Sequence, residues 1–505
     1  MDRKDTFTYA KYLPQVIDEY KGNPFIEALP PILSAMKAAD LLTVEPGYHE
    51  AERELDALYR FHCIQRLSRY FQPLDTHIDV EQRVSRSIRQ SYVNRNPVAI
   101  LDKTDFRSVR STAAGFTVIG MSGVGKTTAM ERVLSLYPQC IVHTKYAKKP
   151  FYIKQLVWMK LDCPYDGSIR GLCLNFFNEI DRILETEYSK LFPVLKYTVD
   201  TLLIKMATIA STHGLGLLVI DEIQHLSQAK SGGPEKMLNF FVTLVNTIGV
   251  PVVLIGTTKA MPILQSEFRQ ARRGSGQGDL FWDRMPNDFS WEIILQSMWK
   301  YQWTKYPSPL TKELSDTIYD ESQGIIDLAI KLYAIAQTKA IADGIEAVTP
   351  KIIREAAAEK LRLVKPMLDA LRSGNMKKIM QYEDIRPISV EDYVALHAAR
   401  IQASDMSMQT AASLEEQAVL KLLEMDIPAK TAQQCVKRAL SGMKSAQPLS
   451  MLIQKAFKLA LQITEPKEEK DGAPVSEKKD VRQSAGKTAY QNLKETGAIA
   501  EDGEW

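Results

Sequence analysis

The stretch Gly120-Met121-Ser122-Gly123-Val124-Gly125-Lys126-Thr127 has the residue types and spacing of a phosphate-cradling loop, G-x-x-x-x-G-K-T. Gly120 and Gly125 let the backbone curl tightly, and Gly123 takes a side chain out of the path, so that N–H groups converge on a polyphosphate. The candidate phosphate-binding residues are therefore Gly120, Ser122, Gly123, Val124, Gly125, Lys126, Thr127 and Thr128. A helix starting near Lys126 adds the positive end of its dipole. Lys126 reaches the outer phosphates, and Thr127 holds Mg²⁺. Downstream, Leu215–Glu222 is an apolar run ending in two acids. From such a strand end Asp221 reaches the metal on Thr127, and Glu222 is suited to polarise an attacking water. A third run, Val250–Thr258, ends in hydroxyls, and Thr257 falls where a side chain senses the terminal phosphate or positions that water. Beyond it, Arg269, Arg272 and Arg273 cluster beside glycines. They suit either a trans contact with a neighbouring subunit's nucleotide or a basic surface loop.

These groups need a scaffold that brings strand ends together. Phe116–Ile119 reads as a buried parallel strand and Thr128–Tyr137 as the helix after it. Strands and helices alternate through residues 106–300, which implies a mostly parallel sheet with helices on both faces, an α/β nucleotide-binding core. Ile141–Thr144 and Leu156–Leu161 read as strands. Between them Lys145–Lys154, with Lys148 and Lys149, interleaves lysines and aromatics, as a nucleic-acid grip or a solvated hairpin would. Ser168 fits a helix N-cap, with Arg170 beside it. Residues 1–105 form an N-terminal extension in which Asp79–Gln90 is amphipathic, with Val80, Val84 and Ile88 on one face and Arg83, Arg86 and Arg89 on a face expected to be solvated. Residues 301–375 read as a helical lid over the nucleotide, and 376–464 as a helical C-terminal module. Residues 465–505 are too poor in large apolar side chains to fold alone and read as a disordered tail.

Composition narrows the function classes. The 505 residues carry a net charge of +3, so any nucleic-acid contact must come from a local patch. Five cysteines without a C-x-x-C pair, and scattered histidines, argue for reduced thiols and against zinc. No apolar run is long enough to span a membrane and the first residues lack a signal core, so a cytoplasmic location is expected.

The phosphate loop, the acidic strand end, Thr257, the arginine cluster and the lid turn Ser322-Gln323-Gly324 together resemble the AAA+ ATPases. Stretches outside those motifs resemble, more narrowly, the TnsC-type regulators of Tns-type bacterial transposons: Asn23–Pro31, Phe71–His77, Leu174–Phe177, Gly216–Leu226, Ser231–Gly233, Met237–Val245, Ala271–Gly274 and Pro366–Gly374. The resemblance implies an AAA+ P-loop core with a helical lid and an all-α extension, ATP and Mg²⁺ as cofactors, and hydrolysis used as a regulatory switch. It implies head-to-tail assembly into a ring or filament on duplex DNA without sequence preference. The chain would link a target-selection protein of the TnsD or TniQ kind to the transposase. It makes Glu222 the catalytic acid, Arg272 or Arg273 the trans arginine, and Ser168, Arg170, Lys190 and Lys196 the pore-facing DNA contacts, ahead of Lys148 and Lys149. The position where many relatives carry a sensing arginine reads Ile326-Asp327, a departure that moves nucleotide sensing towards the subunit interface. The alternative is another AAA+ switch, DNA-associated or signalling, of the initiator or clamp-loader kind.

Overall fold

The apolar run ahead of the phosphate loop is a central strand. In the computed structural model, residues 7–93, 95–98, 115–228, 240, 243, 249–261, 277–374, 390, 391, 393–399, 414–423, 425, 427–441 and 449–464 are described. They fall in two units, Met1–Ser404 and Asp405–Trp505. The first contains β1 (Thr8–Tyr9), α1 (Ala35–Leu42), α2 (Ala57–Ile64), α3 (Asp75–Val93), β2 (Phe116–Gly120), α4 (Lys126–Leu134), β3 (Cys140–Tyr146), β4 (Lys149–Leu156), β5 (Trp158–Asp162), α5 (Ile169–Leu184), α6 (Val199–Thr212), β6 (Leu217–Asp221), β7 (Val252–Gly256), β8 (Asp279–Trp282), α7 (Phe289–Trp299), α8 (Lys312–Ser322), α9 (Ile326–Ala342), α10 (Pro350–Lys360) and α11 (Lys365–Ser373).

Five parallel strands in the order β5-β6-β7-β2-β8 form the main sheet. β2, β6 and β7 are buried along their whole length, which is why they read as unbroken apolar runs. Their side chains still alternate between two cores. Phe116, Val118, Val219 and Val253 join one cluster with α3, α7 and the lid, while Leu218, Ile220 and Leu254 join another with α5 and α6. Parallel strands end on the same side, so one sheet edge gathers the phosphate loop, Asp221 and Thr257.

Two differences from the sequence reading concern local pairing. Leu156–Leu161 is not one strand. Leu156 pairs with Cys140 in the β3–β4 hairpin, whereas Met159 and Leu161 pair with β6, so the chain changes sheet at Val157. The hairpin closes on Ala147 and Lys148, both at positive φ as a two-residue turn requires. Nor is the α3 arginine row solvated throughout: Arg86 is exposed and Arg83 half-buried, as a solvated face allows, but Arg89 is not. Arg89 is buried and donates to the Pro30 carbonyl at 2.5 Å, Arg83 bonds the Gln277 carbonyl and Arg86 the Gln277 side chain. Arg83 and Arg86 thus bind the extension to the core at Gln277, and Arg89 ties α3 to Pro30 within the extension, while Val80, Val84 and Ile88 pack in the core.

The lid helices start on capping hydroxyls: Thr311 accepts from Leu314 N–H, and Thr349 from Ile352 N–H ahead of Pro350. Gly324 joins α8 to α9 at φ 75°, and a Cβ there would meet the Met285 carbonyl oxygen at 2.1 Å, so only glycine fits. The second unit is three helices, α12 (Leu414–Leu423), α13 (Ala429–Ser441) and α14 (Leu449–Thr464), around a core of small residues and leucines that includes Ala432, Cys435, Val436 and Ala456. The segment 465–505 lies outside the described residues. All five cysteines are buried free thiols, and among the described residues no helix is long and apolar enough to cross a membrane.

Candidate nucleotide site

Gly123 and Gly125 adopt φ 80° and 96°, and Gly125 is the N-cap of α4. The loop therefore turns through left-handed backbone conformations that favour glycine before presenting the first N–H groups of the helix. Lys126 is 9% exposed, and its Nζ donates to the carbonyls of Gly120 (2.8 Å) and Met121 (2.6 Å), which holds the ammonium against the loop. Thr127 Oγ1 donates to Asp221 Oδ2 at 2.8 Å, and Asp221 Oδ1 accepts the Glu222 N–H at 2.8 Å. Both oxygens of this buried carboxylate are thus oriented. Thr127 and Asp221 supply the hydroxyl and carboxylate oxygens that a hard cation prefers.

Lys160, on neighbouring β5, is a member the sequence reading missed. Its Nζ lies 3.5 Å from Asp221 Oδ2, 3.1 Å from Glu131 Oε1 and 3.2 Å from Asp162 Oδ1. Burial alone would lower its pKa, but the carboxylates of Glu131, Asp221 and Asp162 outweigh burial and raise it, so it is a fixed cation beside the site. Only the β5–β6 register, which sets Asp162 against Asp221, brings it there.

Glu222 is exposed, at φ 58°, and its Oε2 accepts a hydrogen bond from Gln224 Nε2. Gln224 Oε1 in turn accepts the Thr257 N–H at 3.1 Å. One glutamine therefore ties the candidate water-polarising acid to the candidate sensor. A Cβ on Gly256 would stand 3.0 Å from Gln224 Oε1 and 2.5 Å from Ile223, so the close approach depends on glycine. The Thr257 and Thr258 hydroxyls are buried with no hydrogen-bond partner among the described residues. Orphaned buried hydroxyls cost about 1–3 kcal/mol each, and a phosphate oxygen or an ordered water would satisfy them. On this chemistry, the residues present fit a Mg²⁺–nucleotide.

A cavity of about 280 Å³ opens beside the loop, against Val124, Gly125 and Thr128. Its other walls are Leu67, Tyr70 and Phe71 of the N-terminal extension and Ile326, Ile330 and Ala334 of the lid helix α9. A mostly apolar cleft with a few polar edges, adjoining a phosphate loop, suits a base and sugar. Across Val124 a second space, about 260 Å³, is lined by Asp283, Arg284 and Gly324. Arg284 donates to Gln323 Oε1 at 2.8 Å, joining the segment after β8 to the lid turn. Nothing local in residues 64–72 signalled a cavity wall, because the wall forms only when distant segments pack together.

The nucleic-acid candidates lie on several elements. Ser168 caps α5 by accepting the Gly171 N–H at 3.1 Å, and Arg170, the second residue of that helix, is exposed. Lys190 is exposed and paired with Glu187 at 2.6 Å, and Lys196 is exposed. Lys148 and Lys149 are exposed at the turn of the β3–β4 hairpin, a separate small sheet. Arg269, Arg272 and Arg273 lie outside the described residues.

Residues 109–264 match the family model described as an AAA domain. Among solved structures, the chain is similar to the Aeropyrum pernix ORC1 protein in complex with DNA, at 13% identity over 74% of this chain and 82% of that one, with a TM-score of 0.34. It is similar to Cdc6p from Pyrobaculum aerophilum, at 14% identity, 73% and 94% coverage and a TM-score of 0.34. It is also similar to Drosophila ORC bound to DNA, at 13% identity, 65% and 84% coverage and a TM-score of 0.33. No curated protein matches the chain.

Proposed function

We propose that this chain, which carries an AAA domain on an AAA+ fold, is an ATPase used as a switch on duplex DNA. The observation that carries the reading is the joined set Thr127–Asp221, Glu222–Gln224–Thr257, with the orphaned Thr257 hydroxyl at its end. A scaffold that only binds nucleotide has no use for an exposed glutamate bonded to the strand-end sensor. In this reading Lys126 and the loop N–H groups hold the phosphates, Thr127 and Asp221 hold the metal, Glu222 orients water, and Thr257 reports the terminal phosphate. Bound Mg²⁺ supplies charge neutralisation on the phosphoryl oxygens. The cleft lined by Leu67, Tyr70 and Phe71 of the N-terminal extension and Ile326 and Ile330 of the lid would take the base.

The finer reading is a transposition regulator. It rests on the TnsC-type stretches, such as Asn23–Pro31 and Phe71–His77, which lie outside the nucleotide motifs. In that role the ATP state assembles head to tail on DNA through Arg272 or Arg273, links a target-selection protein to the transposase, and hydrolysis releases it. Arg170, Lys190 and Lys196 would meet the DNA backbone, in a manner blind to sequence and sensitive to salt.

The test is binding of a labelled random-sequence duplex, read by anisotropy and light scattering, with ATP, a non-hydrolysable analogue, ADP or no nucleotide. Tight binding with large complexes only in the ATP-like states is expected, and Glu222→Gln should trap that state. Indifference to DNA in every nucleotide state would leave an ATPase and remove the DNA switch.

A further inference from the structure

Residues 427–464 hold six cations, Lys430, Lys437, Arg438, Lys444, Lys455 and Lys458, and no aspartate or glutamate, in a chain whose net charge is only +3. This span includes α13 and α14, two helices of the second unit. The segregation is geometric as well as sequential. α13 buries Ala432, Cys435, Val436 and Ala439, at helical spacings of three and four, against α12 and α14. The opposite side carries Lys430, Gln433, Gln434, Lys437, Arg438 and Ser441, all exposed. On α14, Lys455 and Lys458 are likewise exposed, away from the buried Leu452, Ala456 and Ala460.

We propose that this three-helix module is a second nucleic-acid contact, and that the outer face of α13 grips the phosphate backbone of duplex DNA. Lys430 and Lys437 stand two turns apart on one face, about 10 Å along the helix, which spans about three phosphate steps of a strand. The other exposed side chains of that face, Gln433, Gln434 and Ser441, donate to phosphates and base edges. Among the described residues of α13 no large apolar side chain is exposed. An acidic protein partner would normally be anchored by such a side chain. The contact goes beyond the switch proposed above, because a lysine and arginine face needs no nucleotide to bind phosphate.

The experiment separates the two. Full-length Lys126→Ala protein, which the switch reading holds unable to bind ATP, is titrated with a labelled random-sequence duplex across a salt series. The same protein also carrying Lys430→Gln, Lys437→Gln and Arg438→Gln is compared with it. The parent should bind DNA with a salt-dependent affinity, and the added substitutions should reduce the log–log salt slope by about three, near one per lost phosphate contact. Equal helix content and unfolding midpoint verify that α13 still folds. The opposite change, Gln433→Lys with Gln434→Lys, should steepen the slope by about two. An unchanged slope in both variants overturns the proposal. So does a polyglutamate peptide that binds through the same three residues more tightly than the duplex, since the face would then belong to an acidic protein.

Discussion

Gln224 lies between the two groups on which turnover depends. Its amide N–H₂ holds Glu222 and its amide oxygen accepts from the Thr257 backbone, so a change at either end moves the other. Gln224→Ala should lower kcat about tenfold to a hundredfold while leaving the KM for ATP within about twofold, because the glutamate's aim is lost but no phosphate contact is. A steady-state ATPase assay checks this, and an unchanged kcat would remove Gln224 from the mechanism. His77 sets a second expectation. Burial against Phe71 and Trp282 pushes its pKa down to about 4, and its Nδ1 accepts the Leu74 N–H at 2.8 Å, as a neutral ring does. The unfolded chain binds that proton near pH 6.5 and the folded chain does not, so stability is complete above about pH 6.5 and falls as pH drops towards about 4. His143 and His213, also depressed by burial, push the same way. Between pH 6.5 and 5 the loss due to His77 is about 2 kcal/mol. His77→Gln keeps an acceptor for Leu74 N–H without the titration, so its unfolding midpoint should fall less over that range. Equal pH dependence in the two proteins would contradict a neutral buried imidazole.

At the scale of elements, the N-terminal extension is clasped to the lid. Arg60 of α2 donates two bonds to Glu346, at 2.6 and 2.7 Å, and a third to the Trp303 carbonyl at 3.1 Å. Burial would raise the Glu346 carboxyl, but Arg60 and the Lys305 N–H reverse that and hold it below the usual range. Glu52 accepts from Trp303 Nε1 at 2.8 Å and also pairs with Arg66. The cavity beside the phosphate loop has walls on the extension and on the lid, the two parts this clasp joins. Arg60→Ala leaves Glu346 without its guanidinium and should cost about 3–5 kcal/mol in denaturant unfolding. Arg60→Met with Glu346→Leu should recover most of that loss. If the single substitution costs under about 1 kcal/mol, the pair is a solvated one and the clasp does not exist.

At the scale of the whole molecule, the switch reading requires that nucleotide be sensed between subunits. Gly324-Ile325-Ile326-Asp327 offers no arginine at the start of α9, and Arg284, which reaches the lid turn, is engaged by Gln323. Arg272→Ala with Arg273→Ala should therefore spare ATP binding by monomers and abolish assembly and turnover. Fluorescent-nucleotide titration and light scattering check this, and normal turnover in the double variant would exclude both as the trans arginine.

The sequence by itself determined an α/β core with a phosphate loop, because buried parallel strands must be apolar along their length and such a loop must place glycines where left-handed turns occur; the resemblance of its motifs added the AAA+ class. It also determined which side chains stand at the strand ends, since a strand's C-terminus is a local property of the chain. Register and packing decided the rest. Lys160 reaches Asp221 because β5 pairs with β6 at one particular offset, and period-two alternation is invisible in strands buried on both faces. The turn from hairpin to main sheet at Val157 lies inside one apolar run and carries no turn residue. The α3 arginines looked like a solvated row because a sequence shows charge but not the carbonyls of Pro30 and Gln277 that come to meet it. The cleft beside the loop belongs to no single segment. Residues 64–72, 124–128 and 326–334 make it only once the chain has folded back on itself, and that is a property of tertiary structure alone.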